Sequence, residues 1–292
     1  MKKFRYKKVN AFTSENSRGN PAAYLLADDG VLSPDEMLAI GREHSGFVSE
    51  VVFCSPSRAA DLKLTYFSSE CEVEFCGHGT IATMYDRIMS DDRLRAMSEI
   101  HIETNRKGIL TVYNSIANDG AVYITAPAAR HLSVPADAGD IADALGAAAA
   151  DFDASWPVDF IDAGLRTLIV PLAKLEKEVS IYPSESGLKE FCLSRGIDIV
   201  LVFCKETSDA DCFAHTRVFA PKFGYLEDPA TGSGNSAFAC YLLKLGEWGG
   251  APVTVEQGGA NIKYNPVRLK SDGTNVLFGG AASVVIDGWY YV

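Results

Sequence analysis

Two short glycine-bearing stretches hold the residue types best suited to chemistry: Cys76-Gly77-His78-Gly79-Thr80 and Thr231-Gly232-Ser233-Gly234-Asn235. Each follows a strand-like run and opens a helical stretch of small residues. Glycine lets a backbone approach a ligand closely and reach positive φ. The free N–H groups of a helix start, together with the positive end of its dipole, favour an anion such as a carboxylate. A lone x-G-x-G is also an ordinary strand-to-helix turn. Two matched copies carry more, because lobes packed by pseudo-twofold symmetry would direct both helix starts at one cleft. Neither stretch has the form G-x-x-x-x-G-K-[ST] or G-x-G-x-x-G, so nucleotide and dinucleotide cofactors are disfavoured. The first stretch opens with Cys76 and the second with Thr231. A thiol ionises at about 8.5 and an alcohol does not ionise near neutrality, so these two cannot act as interchangeable bases.

The elements that must position these residues are readable from periodicity. Phe4 to Phe12 alternates as a half-buried strand does, and Asn20-Pro21 gives a turn before Ala22-Ala23-Tyr24-Leu25-Leu26. Ser33-Pro34-Asp35-Glu36 reads as a helix start running to about Glu43. Strands are expected at Val48 to Phe53, Leu62 to Phe67, Ile100 to Thr104, Ile109 to Tyr113 and Gly120 to Ala126, with a helix over Ile81 to Met89. Beyond Pro127, helices are expected at Asp140 to Ala149, Gly187 to Arg195 and Ser236 to Leu245. Strands are expected within Phe160 to Leu172, Ile197 to Cys204 and Asp211 to Val218. The stretch from Val253 to Val292 reads as strands and turns.

The two halves echo one another. Cys76-Gly-His-Gly-Thr80-Ile-Ala82 aligns with Thr231-Gly-Ser-Gly-Asn235-Ser-Ala237, Tyr66-Phe67 with Val218-Phe219, and Ile102-Glu103-Thr104 with Val255-Glu256-Gln257. Three echoes in one order indicate an internal duplication and a two-lobed α+β protein. Composition agrees with a globular chain of 292 residues, 47% hydrophobic and 22% charged. With Lys+Arg 27 against Asp+Glu 38, the net charge of −11 does not suit nucleic acid or an anionic membrane as partner. No apolar run approaches a membrane span, and no secretory leader pattern opens the chain. The seven cysteines form no C-x-x-C pair and the five histidines are scattered. The expectation is therefore free thiols in a reducing cytoplasm and no metal site.

Several motifs together resemble the PhzF-like family, named for a phenazine-biosynthesis isomerase and sharing the diaminopimelate-epimerase fold. They are Gly19-Asn20-Pro21-Ala22-Ala23, Ser49-Glu50-Val51-Val52-Phe53, Glu74-Phe75-Cys76-Gly77-His78-Gly79-Thr80, Gly164-Leu165-Arg166 and Glu227-Asp228-Pro229-Ala230-Thr231-Gly232-Ser233. They span most of the chain in order, and the last is the most specific. The resemblance implies two pseudo-symmetric lobes, each a curved, mostly antiparallel sheet wrapped around a central helix. The lobes would cover 1–127, completed by C-terminal strands over 276–292, and 128–275. It further implies a homodimer acting on a small carboxylate without a cofactor. Residue by residue, Glu50 matches the family's catalytic acid/base, while His78, Asp228 and Ser233 match groups that hold the substrate or relay its proton. Gly77, Gly79, Gly232 and Gly234 would supply backbone donors, and Cys76, Thr231 and Asn20 would line the substrate site. A carboxyl group shielded from water by Val48 and Val51-Val52-Phe53 suits Glu50's task, because such shielding raises its pKa. A histidine titrating near 6.5 suits a relay.

Two rival chemistries remain at this level. The Cys76/Thr231 pairing resembles proline-racemase-like dehydratases and epimerases, in which Cys76 would be the base. A non-catalytic carboxylate-binding protein would keep the cleft without turnover. After Gln257-Gly258 the chain reads Gly259-Ala260-Asn261-Ile262-Lys263-Tyr264-Asn265-Pro266, where family members often carry a Gly-Arg-Pro-Ser-like run. Arg166 and Arg217 are then the candidates for contacting substrate anions, or else structural ion-pair partners.

Overall fold

The computed structural model describes residues 1–28, 31–259 and 263–292. Ala260, Asn261 and Ile262, part of the run that departs from the family pattern, lie outside the described residues. The chain divides into two compact units: Met1–Thr125 with Gly279–Val292, and Ala126–Phe278.

In chain order the first unit contains β1 (Lys3–Ala11), β2 (Asn20–Leu26), α1 (Pro34–Glu43), β3 (Val51–Ser55), β4 (Leu62–Phe67), β5 (Glu72–Val73) and α2 (Gly77–Ser90). It continues with α3 (Asp92–Arg95), β6 (Glu99–Thr104), β7 (Gly108–Ser115), α4 (Ile116–Asp119) and β8 (Ala121–Thr125). The α1 start expected from Ser33-Pro34 is a complete capping box: Ser33 Oγ accepts from the Glu36 N–H, and Glu36 reaches back to the Ser33 N–H. Val51 and Val52 are both fully buried, so β3 is covered on both faces. Val51 and Phe53 pack with Ile40 of α1. Val52 points the other way, toward Gly79 at the start of α2.

The second unit contains β9 (Arg130–Leu132), α5 (Ala138–Leu145), β10 (Asp159–Asp162), β11 (Arg166–Leu172), α6 (Leu175–Ser180) and α7 (Glu185–Arg195). There follow β12 (Ile199–Cys204), β13 (Ala214–Phe219), β14 (Glu227–Asp228), α8 (Gly232–Leu245), β15 (Val253–Gln257) and β16 (Asn265–Ser271). Its core joins Ile141 and Leu145 of α5, Leu188 and Phe191 of α7, and Val200 and Val202 of β12. Phe203, on the alternate face of β12, packs on Phe238 of α8 with ring centroids 4.7 Å apart. The chain closes with β17 (Val276–Gly280) and β18 (Ala282–Tyr291). β18 lies antiparallel to β1, with Lys3 opposite Tyr291, so the first unit takes its outer strand from the end of the chain.

The duplication is visible in the ladders. In the first unit β1/β2 is antiparallel, β2/β3 parallel, β3/β4 and β4/β5 antiparallel, β4/β6 parallel and β6/β7 antiparallel. The second unit repeats that sequence with β10/β11, β11/β12, β12/β13, β13/β14, β13/β15 and β15/β16. The sequence echoes fall on matching rungs: Lys63 pairs with Glu103 as His215 pairs with Glu256. Each unit is thus a mixed sheet, mostly antiparallel, around one buried helix, α2 or α8, with further helices on the other face.

Some boundaries differ from expectation for local reasons. α2 and α8 begin at Gly77 and Gly232, one turn before the expected starts, because Cys76 and Thr231 are extended caps and the glycines already form the first turn. Those glycines serve close packing. A Cβ on Gly79 would sit 2.9 Å from both Cys76 Sγ and Val52 Cγ2, and one on Gly232 would sit 2.3 Å from the Phe278 ring. α5 stops at Leu145 instead of Ala149 because Gly146 takes φ 66° and turns the chain. α6 was not expected, since six residues are too few to show a helical period.

Candidate active site

Glu50 stands immediately before β3, and the strand alternation carried back one residue places it on the face of Val52, toward the start of α2. Cys76 caps α2, and His78 lies in its first turn. The three side chains meet. Glu50 Oε2 is 3.4 Å from His78 Nε2 and 3.6 Å from Cys76 Sγ, and Cys76 Sγ is 3.5 Å from His78 Nδ1. Glu50 keeps 20% of its side-chain surface and His78 14%, so the cluster is shielded but reachable. The Gly79 N–H donates to Cys76 Sγ at 3.3 Å, so this expected anion donor is directed at the sulfur. Burial lowers the His78 pKa to about 4, against the opposing effect of its hydrogen bond to the Pro21 carbonyl. The ring is therefore neutral near pH 7 and does not titrate near 6.5 as its residue type alone suggests. Asn20 opens β2 beside that carbonyl and is buried.

The second unit organises its helix start differently. The Thr231 hydroxyl donates to Asp228 Oδ2 and leaves the first-turn N–H groups of α8 without a side-chain cap. Gln257 fixes the loop from the adjoining strand: its Oε1 accepts from the Thr231 N–H at 2.9 Å, and its Nε2 donates to the Asp228 carbonyl at 2.8 Å. Asn235 adds a 2.7 Å bond to Gln257 Oε1. Asp228 is 9% exposed and lies within this network, while Gly232 and Gly234 are buried and Ser233 is half-buried beside them. Sequence reasoning had no role for Gln257 or Asn235, although each lies in one of the duplicated echoes.

Both arginines turn out to hold the fold. Arg166 donates from its backbone N–H, Nε and Nη2 to Asp198, a carboxylate shared with Lys222. Arg217 is 3% exposed; it forks onto Glu227 and donates Nη1 to the carbonyls of Glu178 and Ile181 at the end of α6. All seven cysteines are free thiols, and among the described residues no helix is long and apolar enough to cross a membrane.

A family model described as "Phenazine biosynthesis-like protein" (PhzC-PhzF) matches residues 9–288. The chain belongs to the PhzC-PhzF family. It is 34% identical over 273 residues to the "Uncharacterized isomerase YfhB" of Bacillus subtilis, covering 92% of this chain and 91% of that one. It is 27% identical to the trans-2,3-dihydro-3-hydroxyanthranilate isomerase of Pseudomonas fluorescens, over 86% and 84% of the two chains. The crystal structure of a PhzF-family phenazine biosynthesis protein from Bacillus anthracis superposes with a TM-score of 0.86 at 26% identity and full coverage of both chains. A hydroxyproline epimerase from Agrobacterium vitis shares the fold more distantly, with a TM-score of 0.60 at 14% identity over 99% and 91% of the two chains. The PhzF-type chain is thus an isomerase built on the epimerase fold anticipated from its motifs.

Proposed function

We propose that this PhzF-type isomerase moves a proton on a small carboxylate-bearing metabolite by general acid/base catalysis, with Glu50 as the carrier and no cofactor. The observation that carries the reading is the approach of Glu50 Oε2 to His78 Nε2 (3.4 Å) and Cys76 Sγ (3.6 Å) at the start of α2. A carbon next to a carboxylate or a conjugated double bond gives its proton to Glu50, which returns it at a second position or face. His78, neutral at working pH, orients the carboxyl group and passes a proton through its ring nitrogens without becoming a stable cation. The uncapped N–H groups of Gly232, Ser233 and Gly234 suit a carboxylate, with Thr231 and Asp228 setting that turn. Gly77 offers a further donor. The same reading carries a cytoplasmic homodimer.

The test is solvent-deuterium incorporation followed by NMR, over trans-2,3-dihydro-3-hydroxyanthranilate and a panel of small cyclic and amino-acid carboxylates. Glu50→Gln should lower turnover by about 10²–10⁴-fold. Near-normal turnover removes Glu50 from the mechanism. A second reading rests on the equal closeness of Cys76 Sγ to both neighbours. Loss of exchange in Cys76→Ala together with survival in Glu50→Gln would favour thiol-based dehydration or epimerisation. Carboxylate binding without exchange at any carbon would favour a binding protein.

A further inference from the structure

Threonine is a favoured helix cap because its hydroxyl accepts an N–H from the second or third residue of the helix it opens. Thr231 opens α8 and does not do this. Its hydroxyl is engaged by two groups outside the helix. Gln257 Nε2 donates to Thr231 Oγ1 at 3.2 Å, and Oγ1 donates in turn to Asp228 Oδ2. Gln257 has no exposed surface and commits the rest of its amide to the same turn. Its Oε1 accepts from the Thr231 N–H at 2.9 Å and from Asn235 Nδ2 at 2.7 Å, and Nε2 also donates to the Asp228 carbonyl at 2.8 Å. Both donors and both acceptor sites of the amide are thereby used. The ladder holds this amide in place: Gln257 ends β15, opposite Thr216 of β13 on one side and Asn265 of β16 on the other. Asn265 braces the turn at a different point, donating Nδ2 to the Pro229 carbonyl at 2.7 Å.

The first unit supplies the comparison. On the matching rung Thr104 stands opposite Leu64, as Gln257 stands opposite Thr216. The Thr104 hydroxyl serves its own hairpin, donating to the Gly108 carbonyl and accepting from the Lys107 N–H, both at 3.0 Å. Thr104 carries no amide to reach the helix start, and there the cap folds back on its own helix: Cys76 Sγ accepts from the Gly79 N–H at 3.3 Å. Within one duplicated chain, the start served by a glutamine is uncapped and the start served by a threonine is capped.

We propose that Gln257 is a positioning residue: by holding the Thr231 hydroxyl on Asp228, it keeps the Ser233 and Gly234 N–H groups open to a carboxylate. The inference rests on the reading that the start of α8 takes a carboxylate, but it concerns the second unit alone and is tested by binding, without turnover. Benzoate serves as the probe. Amide NMR of the isotopically labelled chain should show the Gly232, Ser233 and Gly234 signals moving as benzoate is added, and the titration gives its Kd. Gln257→Leu releases the Thr231 hydroxyl to cap α8 and should weaken benzoate binding by at least about 10-fold. Adding Thr231→Val, which cannot cap, should recover at least about 3-fold of that loss, a non-additivity that general loosening of the turn does not produce. Asn265→Ala, which removes only the brace on Pro229, should change the Kd by less than about 3-fold. Circular dichroism checks each fold. Should Gln257→Leu fail to fold, Gln257→Glu keeps the size, and its ionised form cannot donate to Oγ1; benzoate binding should then weaken with rising pH more steeply than in the unaltered chain. Unmoved amides in the unaltered chain, an equal loss in Asn265→Ala, a double variant as weak as Gln257→Leu, or a Gln257→Glu profile parallel to that of the unaltered chain overturns the proposal. If the amides stay unmoved while Glu50→Gln still abolishes proton exchange, the positioning role falls and the isomerase mechanism stands. If the Gln257 variants behave as stated while Glu50→Gln exchanges normally, the positioning role stands and Glu50 leaves the mechanism.

Discussion

A buried acid–base pair in the second unit should give the protein an unusual dependence of stability on pH. Glu178 and His215 have no exposed side-chain surface, and His215 Nδ1 lies 3.1 Å from Glu178 Oε1. Burial holds the Glu178 carboxyl well above its ordinary 4.5, opposed by Arg217 and reinforced by Glu256 and Glu227. Burial also brings the His215 ring down to about 4, against the pull of Glu256 and Glu227 and with the help of Arg217. Tyr264 stacks edge-on against His215 at 4.5 Å and adds no charge near neutrality. Both shifts favour the uncharged forms, a carboxylic acid beside a neutral ring.

The unfolded chain binds differently. With values of 4.5 and 6.5 it holds two protons at this pair below pH 4.5, one between 4.5 and 6.5, and none above. Glu178, raised on folding, contributes stability that is full below 4.5 and lost as pH climbs. His215, lowered on folding, contributes stability that is full above 6.5 and lost as pH falls toward about 4. The two trends oppose each other between 4.5 and 6.5. Above 6.5 the pair costs up to about 1.4 kcal/mol per pH unit, hence at most about 2.7 kcal/mol from pH 6.5 to 8.5. Against a total stability of about 5–15 kcal/mol, that is readily measured. Glu178→Gln keeps the shape and cannot ionise, so urea unfolding of both proteins at pH 6.5, 7.5 and 8.5 isolates the pair. The variant should gain on the parent with each step, every other titrating group being common to both. Parallel stability curves over this range would refute the argument that burial raises the Glu178 carboxyl.

Three further outcomes follow from local geometry. His78, with its pKa near 4, should show no ring titration by NMR between pH 5.5 and 8, whereas a midpoint near 6.5 would mean that the ring is solvated. Gly79→Ala brings a methyl group to 2.9 Å from Cys76 Sγ and Val52 Cγ2 and should cost about 1–3 kcal/mol in urea unfolding; a neutral effect would show that the α2 start yields easily. Ser33→Ala removes half of the capping box and should cost about 1 kcal/mol without altering catalysis, and unchanged stability would mean that the cap contributes nothing to folding.

The sequence was most legible where local chemistry and tertiary packing agree. The α1 boundaries follow from a Ser cap, a first-turn proline and acids beside them, and β4 spans the expected Leu62–Phe67. The duplication was readable because both copies retain small residues where helix meets strand. The starts of α2 and α8 were misjudged by one turn, since glycine's low helix propensity hides a first turn that tertiary packing enforces. The meeting of Glu50 with Cys76 and His78 depends on strand register and on the face of β3, which the motif resemblance anticipated without distances. The role of Gln257 was invisible, because an amide that fixes a turn from another strand leaves no local pattern, and that of Asn235 in α8 depends on Gln257 as its partner.

The duplicated scaffold has kept its ladders while its two helix starts have diverged in chemistry. With Phe67 set on Phe219, Val51 and Val200 occupy the same rung, and the residue before each is Glu50 in one unit and Ile199 in the other. Cys76 and His78 correspond in turn to Thr231 and Ser233. One copy therefore assembles a carboxyl, a thiol and an imidazole, and the other places an aliphatic side chain and two hydroxyls at the matching positions. The Cys76 sulfur accepts from its own helix through Gly79, whereas the Thr231 hydroxyl donates to the buried Asp228. A thiol exchanging protons with a matching thiol is thereby ruled out by residue type, since no ionisable sulfur stands at the second start. The cluster of carboxyl, thiol and imidazole is therefore confined to the first unit, and the second unit's helix start keeps first-turn N–H groups without a side-chain cap.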